Sequence, residues 1–409
     1  MLNMQMRKIV VVSFLCLLIL LLNNCMNGKK RTDDPRGSAY AGSATCKSCH
    51  ANIYNAYSST AHNLSSTPAS KESIKGSFAK DSNVVFYRPA LKVAMKQTDS
   101  GFYQVASIDN VERQAARFDI VIGSGRKGQS YLYWLNENLF QLPVSYYVPG
   151  KKWINSPGYP PGFVLFNRNV PGGCFECHSA FIKKTATKPE GDYLVDYFDR
   201  RQLIYGIDCE RCHGPALAHV EFQEKNPDNK KAMFITSIAG LARQQKLAMC
   251  AICHSGARET SRSVFYYKPG AKISGYLHPD KSVPDVSRVD VHGKQYQLLQ
   301  ASKCFLKSND LTCSSCHNTH VEERGNMKNF SMRCMNCHTA PDHSSLKMTN
   351  SVQATMLNNC IDCHMPAKPS AIISMQSQGG QDPVPALVRT HYISIYADAT
   401  SKFLGKPKN

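Results

Sequence analysis

The sequence predicts a mainly α fold with many loops, a core supplied largely by bound groups, and one small antiparallel β insert at about 84–148. Three observations predict it. A five-residue motif, C-x-x-C-H, recurs seven times in the 409 residues. Between its first two copies lies a run of β-branched and aromatic segments separated by turn residues. The remaining connections are rich in Pro and Gly or too polar to build a side-chain core of their own.

The motifs are Cys46/Cys49/His50, Cys174/Cys177/His178, Cys209/Cys212/His213, Cys250/Cys253/His254, Cys313/Cys316/His317, Cys334/Cys337/His338 and Cys360/Cys363/His364. With 17 Cys and 14 His in the chain, composition alone leads to an expectation of about 0.02 such motifs. Residues three and four apart share one face of a helical turn, so both thiols and the imidazole can address one group. This is the attachment signature of haem c: each cysteine forms a thioether with a vinyl group, and the histidine is the proximal iron ligand. Zinc sites, redox C-x-x-C pairs and disulfide frameworks also use paired cysteines. None of them accounts for a histidine after every second cysteine. Seven covalent haems are therefore expected to form much of the core, and folding to depend on their attachment.

The N-terminus reads as an export signal, with Arg7 and Lys8 before an apolar run from Ile9 to Leu22 that is short for a membrane span. It resembles a bacterial lipoprotein signal ending at Cys25, although Asn23 and Asn24 replace the usual small residues. A cleaved secretory signal and an uncleaved anchor are the alternatives. Residues 26–40 read as a flexible tether. Two haem modules follow, 41–260 with the first four motifs and 261–409 with the last three. The net charge of +19 raises nucleic acid as a partner. About fourteen propionate charges would offset most of it, and no nucleic-acid-binding motif is present.

In chain order, Cys46 to Tyr57 has helical spacing. Residues 84–148 alternate as short strands with breaks at Asp99-Ser100-Gly101 and at Gly123-Ser124-Gly125. Gly123 to Gly128 superficially resembles a phosphate loop but lacks its Lys-Ser/Thr ending and reads as a basic hairpin turn, able to meet a partner or a propionate. Residues 148–173 read as a rigid Pro/Gly loop, whereas Tyr193–Tyr205 and Ser237–Met249 read as helical. Residues 261–312 form a second spacer that carries Cys304, read as a buried thiol, with an iron ligand or reactive thiol as alternatives.

Seven histidines remain outside the motifs: His62, His219, His278, His292, His320, His343 and His391. They match the number of irons and are the candidate distal ligands; a surface histidine is the alternative for each. His320 lies three residues after His317, His343 five after His338 and His219 six after His213. Such short segments cannot pass round a porphyrin rim, so these three are expected to serve neighbouring haems.

Gly42 to His50 with Ala61-His62, and Gly206 to Pro215 with His219, resemble segments of the tetrahaem cytochrome c family of ammonia oxidisers. Asp290 to Gly293, Ser302 to Cys304 and Cys313 to His320 resemble related multihaem cytochromes. That superfamily includes hydroxylamine oxidoreductase and pentahaem nitrite reductase. The resemblance implies closely stacked, bis-histidine haems and, in some members, one five-coordinate catalytic iron. No motif here has lysine in place of histidine, so the nitrite reductase type of catalytic haem is not supported. The expectation is a heptahaem carrier of electrons between redox partner proteins of the cell envelope, periplasmic or on the outer membrane and lipid-anchored through Cys25. The alternative is an oxidoreductase of a small nitrogen or sulfur compound at one open iron.

Overall fold

The computed structural model describes residues 33–256, 262–277, 285–286, 289–344, 346, 348–375 and 383–405. The signal segment with Cys25, residues 26–32 of the tether, and His278 lie outside them. Among the described residues the fold is not mainly α. Fifteen strands form four antiparallel sheets, and the longest helix, Arg243–His254, has 12 residues.

The strand-rich part begins before residue 84 and runs past 148. β1 is Ser66–Pro68, and β2 (Val84–Phe86), β3 (Leu91–Thr98), β4 (Gly101–Ile108) and β5 (Val111–Arg117) form a four-stranded sheet. β6 (Ile120–Ile122), β7 (Gly128–Leu135), β8 (Asn138–Gln141), β9 (Val144–Tyr147), β10 (Lys152–Asn155) and β11 (Arg168–Asn169) join β1 in a seven-stranded sheet. The expected loop at 148–173 thus contains two strands. Lys152–Asn155 pairs along its full length with Val144–Tyr147, because tertiary pairing satisfies backbone groups that local Pro and Gly content leaves open.

The segment expected to be helical, Tyr193–Tyr205, is instead β13, paired with β12 (Ser179–Glu190) in a long hairpin. Its apolar residues admit both periods, but Gly191, at φ +60, makes the turn that folds it back on β12. β14 (Ala367–Met375) and β15 (Val384–Arg389) form the fourth sheet. Side chains therefore build a core of their own in the strand-rich part, which is why the mainly α expectation fails.

That core centres on Trp153, 4% exposed and ringed by Phe78, Phe118, Tyr131 and Tyr146. Its indole N–H donates to the Ser77 carbonyl at 2.7 Å. A Cβ on Gly76 would lie 2.0 Å from the same ring, so only glycine fits there. Trp153→Ala is expected to cost about 3–5 kcal/mol, read as an earlier denaturation midpoint in urea. A second cluster packs Ile120, Leu132 and Leu139 of the large sheet against Phe175, Phe181 and Phe198. It fastens the second motif to the sheet.

Candidate functional site

Each motif contains a helical turn. His50, His317 and His338 donate their backbone N–H to the carbonyl of the first cysteine of the motif, at 2.8–2.9 Å. The other four motifs lie within or at the ends of helices: Gly172–His178, Cys209–His213, Arg243–His254 and Cys360–His364.

The seven motifs meet around one connected cavity of about 3290 Å³. All seven motif histidines line it, and so do His62, His219, His292, His320, His343 and His391. Every described histidine therefore faces the same space. Of the motif cysteines, all but Cys174 and Cys337 line it as well, together with Cys304.

Four pairs of rings face each other across this space, each pairing a motif histidine with a non-motif histidine. The centroid separations are 6.1 Å for His254 and His62, 6.0 Å for His213 and His320, 6.1 Å for His317 and His391, and 6.3 Å for His364 and His343. Two metal–imidazole bonds of about 2.0–2.1 Å would place ring centres about 6 Å apart, since each centre sits roughly an ångström behind its nitrogen. The observed spacing matches an iron held between two imidazoles. The partners lie far apart in sequence or beside another motif: His320 faces His213, not His317, and His343 faces His364, not His338. Burial lowers the pKa of His178, and His292 and His254 nearby add to the effect. His50 and His219 likewise both act on His213, after burial, its Thr236 bond and His320.

Hydrogen bonds fix the tautomers. Nδ1 of His213, His219 and His364 lies 3.4, 2.9 and 3.0 Å from the carbonyls of Thr236, Met233 and Ser394. A carbonyl only accepts, so Nδ1 carries the proton and Nε2 keeps its lone pair for a metal. Burial holds His62 and His391 down to a pKa of about 4, in the neutral form that ligates. His391 Nδ1 and Arg211 Nε are buried with no hydrogen-bond partner, polar atoms that a bound group carrying a metal and carboxylates would satisfy. No cluster of three His, Cys, Asp or Glu side chains suited to a metal ion occurs among the described residues. The residues present fit haem in paired imidazoles, and they lack the three or four convergent ligands of a zinc site.

The motifs also touch one another in an unbroken order. Cys46 lies beside Cys209, Cys250 beside Cys313, and Cys334 beside Cys360, bringing together motifs one and three, four and five, six and seven. Arg211 of motif three donates to the Glu176 carbonyl of motif two at 2.8 Å, and Cys253 of motif four contacts the same carbonyl at 3.8 Å. Arg333, beside motif six, donates to the Cys316 carbonyl of motif five at 2.5 Å. The contact order is thus one, three, two, four, five, six, seven.

Two ionic clusters hold this order, and neither was singled out from sequence. Buried Arg36 joins Asp34, Asp208 and Glu210. Glu210 also accepts from the backbone N–H groups of Ala41, Gly42 and Ala216 at 2.8–2.9 Å, fastening the approach to motif one onto motif three. Asp208 and Glu210 flank or lie inside motif three, which is the one local signal of such a role. Glu323 pairs with Arg333 and accepts from the Asn318 N–H at 2.9 Å, clamping motif five to motif six. Arg333 holds the Glu323 carboxyl at a pKa of about 2, below its ordinary 4.5. A depressed acid contributes stability above its unfolded pKa and loses it as pH falls through the folded one. The protection factor of the Asn318 amide against hydrogen exchange is therefore expected to fall between about pH 4.5 and 2, and Glu323→Gln to remove that dependence.

No family model matches the sequence, and no curated protein matches it. The fold is one that a solved cytochrome also uses. That structure is the outer cell wall cytochrome OcwA, similar over 90% of this chain and 82% of that one, at 17% identity and a TM-score of 0.55. No helix among the described residues is long and apolar enough to cross a membrane.

Proposed function

We propose that this chain is a multihaem c-type cytochrome that carries electrons in the cell envelope, with seven haems and predominantly bis-histidine iron. One observation carries the reading: every motif histidine and every other described histidine lines a single cavity, and eight of them form four pairs across it at 6.0–6.3 Å. Shared among seven, the cavity leaves about 470 Å³ each, within the roughly 300–1,000 Å³ of small-molecule sites. The motif cysteines would hold each haem covalently, with His50, His178, His213, His254, His317, His338 and His364 proximal. His62, His320, His343 and His391 are the distal ligands of the fourth, third, seventh and fifth motifs. His292, which acts on His178, would serve the second motif, and His219, which with His50 acts on His213, would serve the first.

When bound, haem c supplies reversible one-electron chemistry at iron. The chain holds the groups at fixed spacing, keeps both axial imidazoles neutral and oriented, and covers them with apolar residues. The unbroken contact order supports carriage through the whole molecule. The motif resemblance to the hydroxylamine oxidoreductase superfamily points the same way, as does the likeness to a solved cytochrome. Export, with a lipid anchor at Cys25 and redox proteins of the envelope as partners, completes the proposal, because covalent haem attachment occurs outside the bacterial cytoplasm. A spectroscopic redox titration tests it. The visible bands of haem c should change reversibly over several potential steps; a protein without redox-active visible absorption would end the proposal.

A further inference from the structure

The basic turn between β6 and β7 has a place in the structure that electron carriage does not use. Gly123 and Gly125 adopt φ +105 and +73, which lets the turn bring Lys127, next to Arg126, to the lining of the cavity. There two remote segments meet it. Arg126 Nε lies 3.8 Å from Glu322 Oε2, and Lys127 Nζ lies 3.4 Å from the Leu387 carbonyl. Arg324 and Arg389 follow those two contacts by two residues each, and Lys127, Arg324 and Arg389 all line the cavity. Arg389 is committed to Asp362 and to the carbonyls of Ile361 and Met365. The nearby acid, Glu322, faces Arg126.

We propose that Lys127 and Arg324, beside the committed Arg389, form an anion-binding corner on the lining of the cavity, taking a carboxylate or an inorganic oxyanion. Like charges brought together from three segments cost energy unless an anion sits among them. The ammonium already shows that cost: burial, then Arg324 and Arg389, lower the Lys127 pKa. Two sources supply the chemistry, a propionate of a bound haem or a free oxyanion in solution. Only the first rests on the haem reading above.

The test uses the full chain with its haems attached, and haem content is measured first, so that failure of the haem reading shows separately. Lys127→Gln and Arg324→Gln are compared with Lys127→Arg and with Arg113→Gln, an exposed site on β5 outside the cavity lining. If the anion is a propionate, each neutral variant shifts one redox step to lower potential, and Lys127→Arg restores it. If it is free, calorimetric titration with nitrite or sulfite shows binding to the parent protein that weakens about 10-fold or more in both neutral variants. Unchanged potentials together with unchanged or absent oxyanion binding would overturn the proposal. The same change in Arg113→Gln would overturn it too, since it would reduce the effect to net charge.

Discussion

The double variant Cys250→Ala/Cys253→Ala is expected not to accumulate as a folded protein. Its fourth motif can no longer retain a haem. The share of the cavity left empty, about 470 Å³, would cost about 11 kcal/mol at roughly 24 cal/mol per Å³ of residual cavity. Total domain stability is only about 5–15 kcal/mol, so collapse or unfolding is the expected outcome. The motif sits centrally: Ala251 and Ile252 are buried, and Cys250 lies beside the first cysteine of motif five. The check is yield and protease resistance beside Trp153→Ala, which should remain folded because it subtracts only from the β core. A stable, soluble double variant with its other haems would mean that bound groups are not the core.

Replacing the distal histidines should change iron chemistry without that penalty. His320→Gly leaves the thioethers of motif three intact and removes the ring 6.0 Å from His213. One iron per molecule then loses its sixth ligand, and electron paramagnetic resonance of the ferric protein should gain a high-spin signal equal to one haem. His391→Met keeps a sixth ligand at motif five, opposite His317, but substitutes thioether for imidazole, which raises the potential of that iron. Redox titration should show one step moved upward and the rest unchanged. An unchanged spectrum in both variants would refute the assigned pairs. A high-spin signal integrating to a full haem in the parent protein would instead favour the oxidoreductase alternative.

How far the sequence alone reaches differs between site and fold. Cys46/Cys49/His50 and its six counterparts stand out because covalent attachment requires one local spacing, and local spacing is what a sequence displays. Which histidine faces which iron is not local. His391 reaches His317 from 74 positions away because β15 and the segment after it return to motif five, where Ser302 Oγ donates to the His391 carbonyl at 3.1 Å. The Arg36 and Glu323 clamps are hidden for the same reason, as charges whose partners only the fold supplies. Tyr193–Tyr205 reads as a helix because Val195 and Phe198, both buried, are three apart and fit a helical period, whereas in the strand they point to opposite faces. Lys152–Asn155 reads as loop because four residues between prolines carry almost no periodic signal. The local signal was strongest where chemistry sets the spacing and weakest where a distant strand does.

The central claim is that seven haems are covalently bound and fill the shared cavity. Intact-mass spectrometry of the denatured, purified protein tests it most directly, because thioether-linked haem survives unfolding whereas zinc and non-covalent groups do not. The account predicts the mass of the processed polypeptide plus seven haems, with no free thiol at the fourteen motif cysteines. A bare polypeptide mass, or one lowered only by disulfide formation, would contradict it.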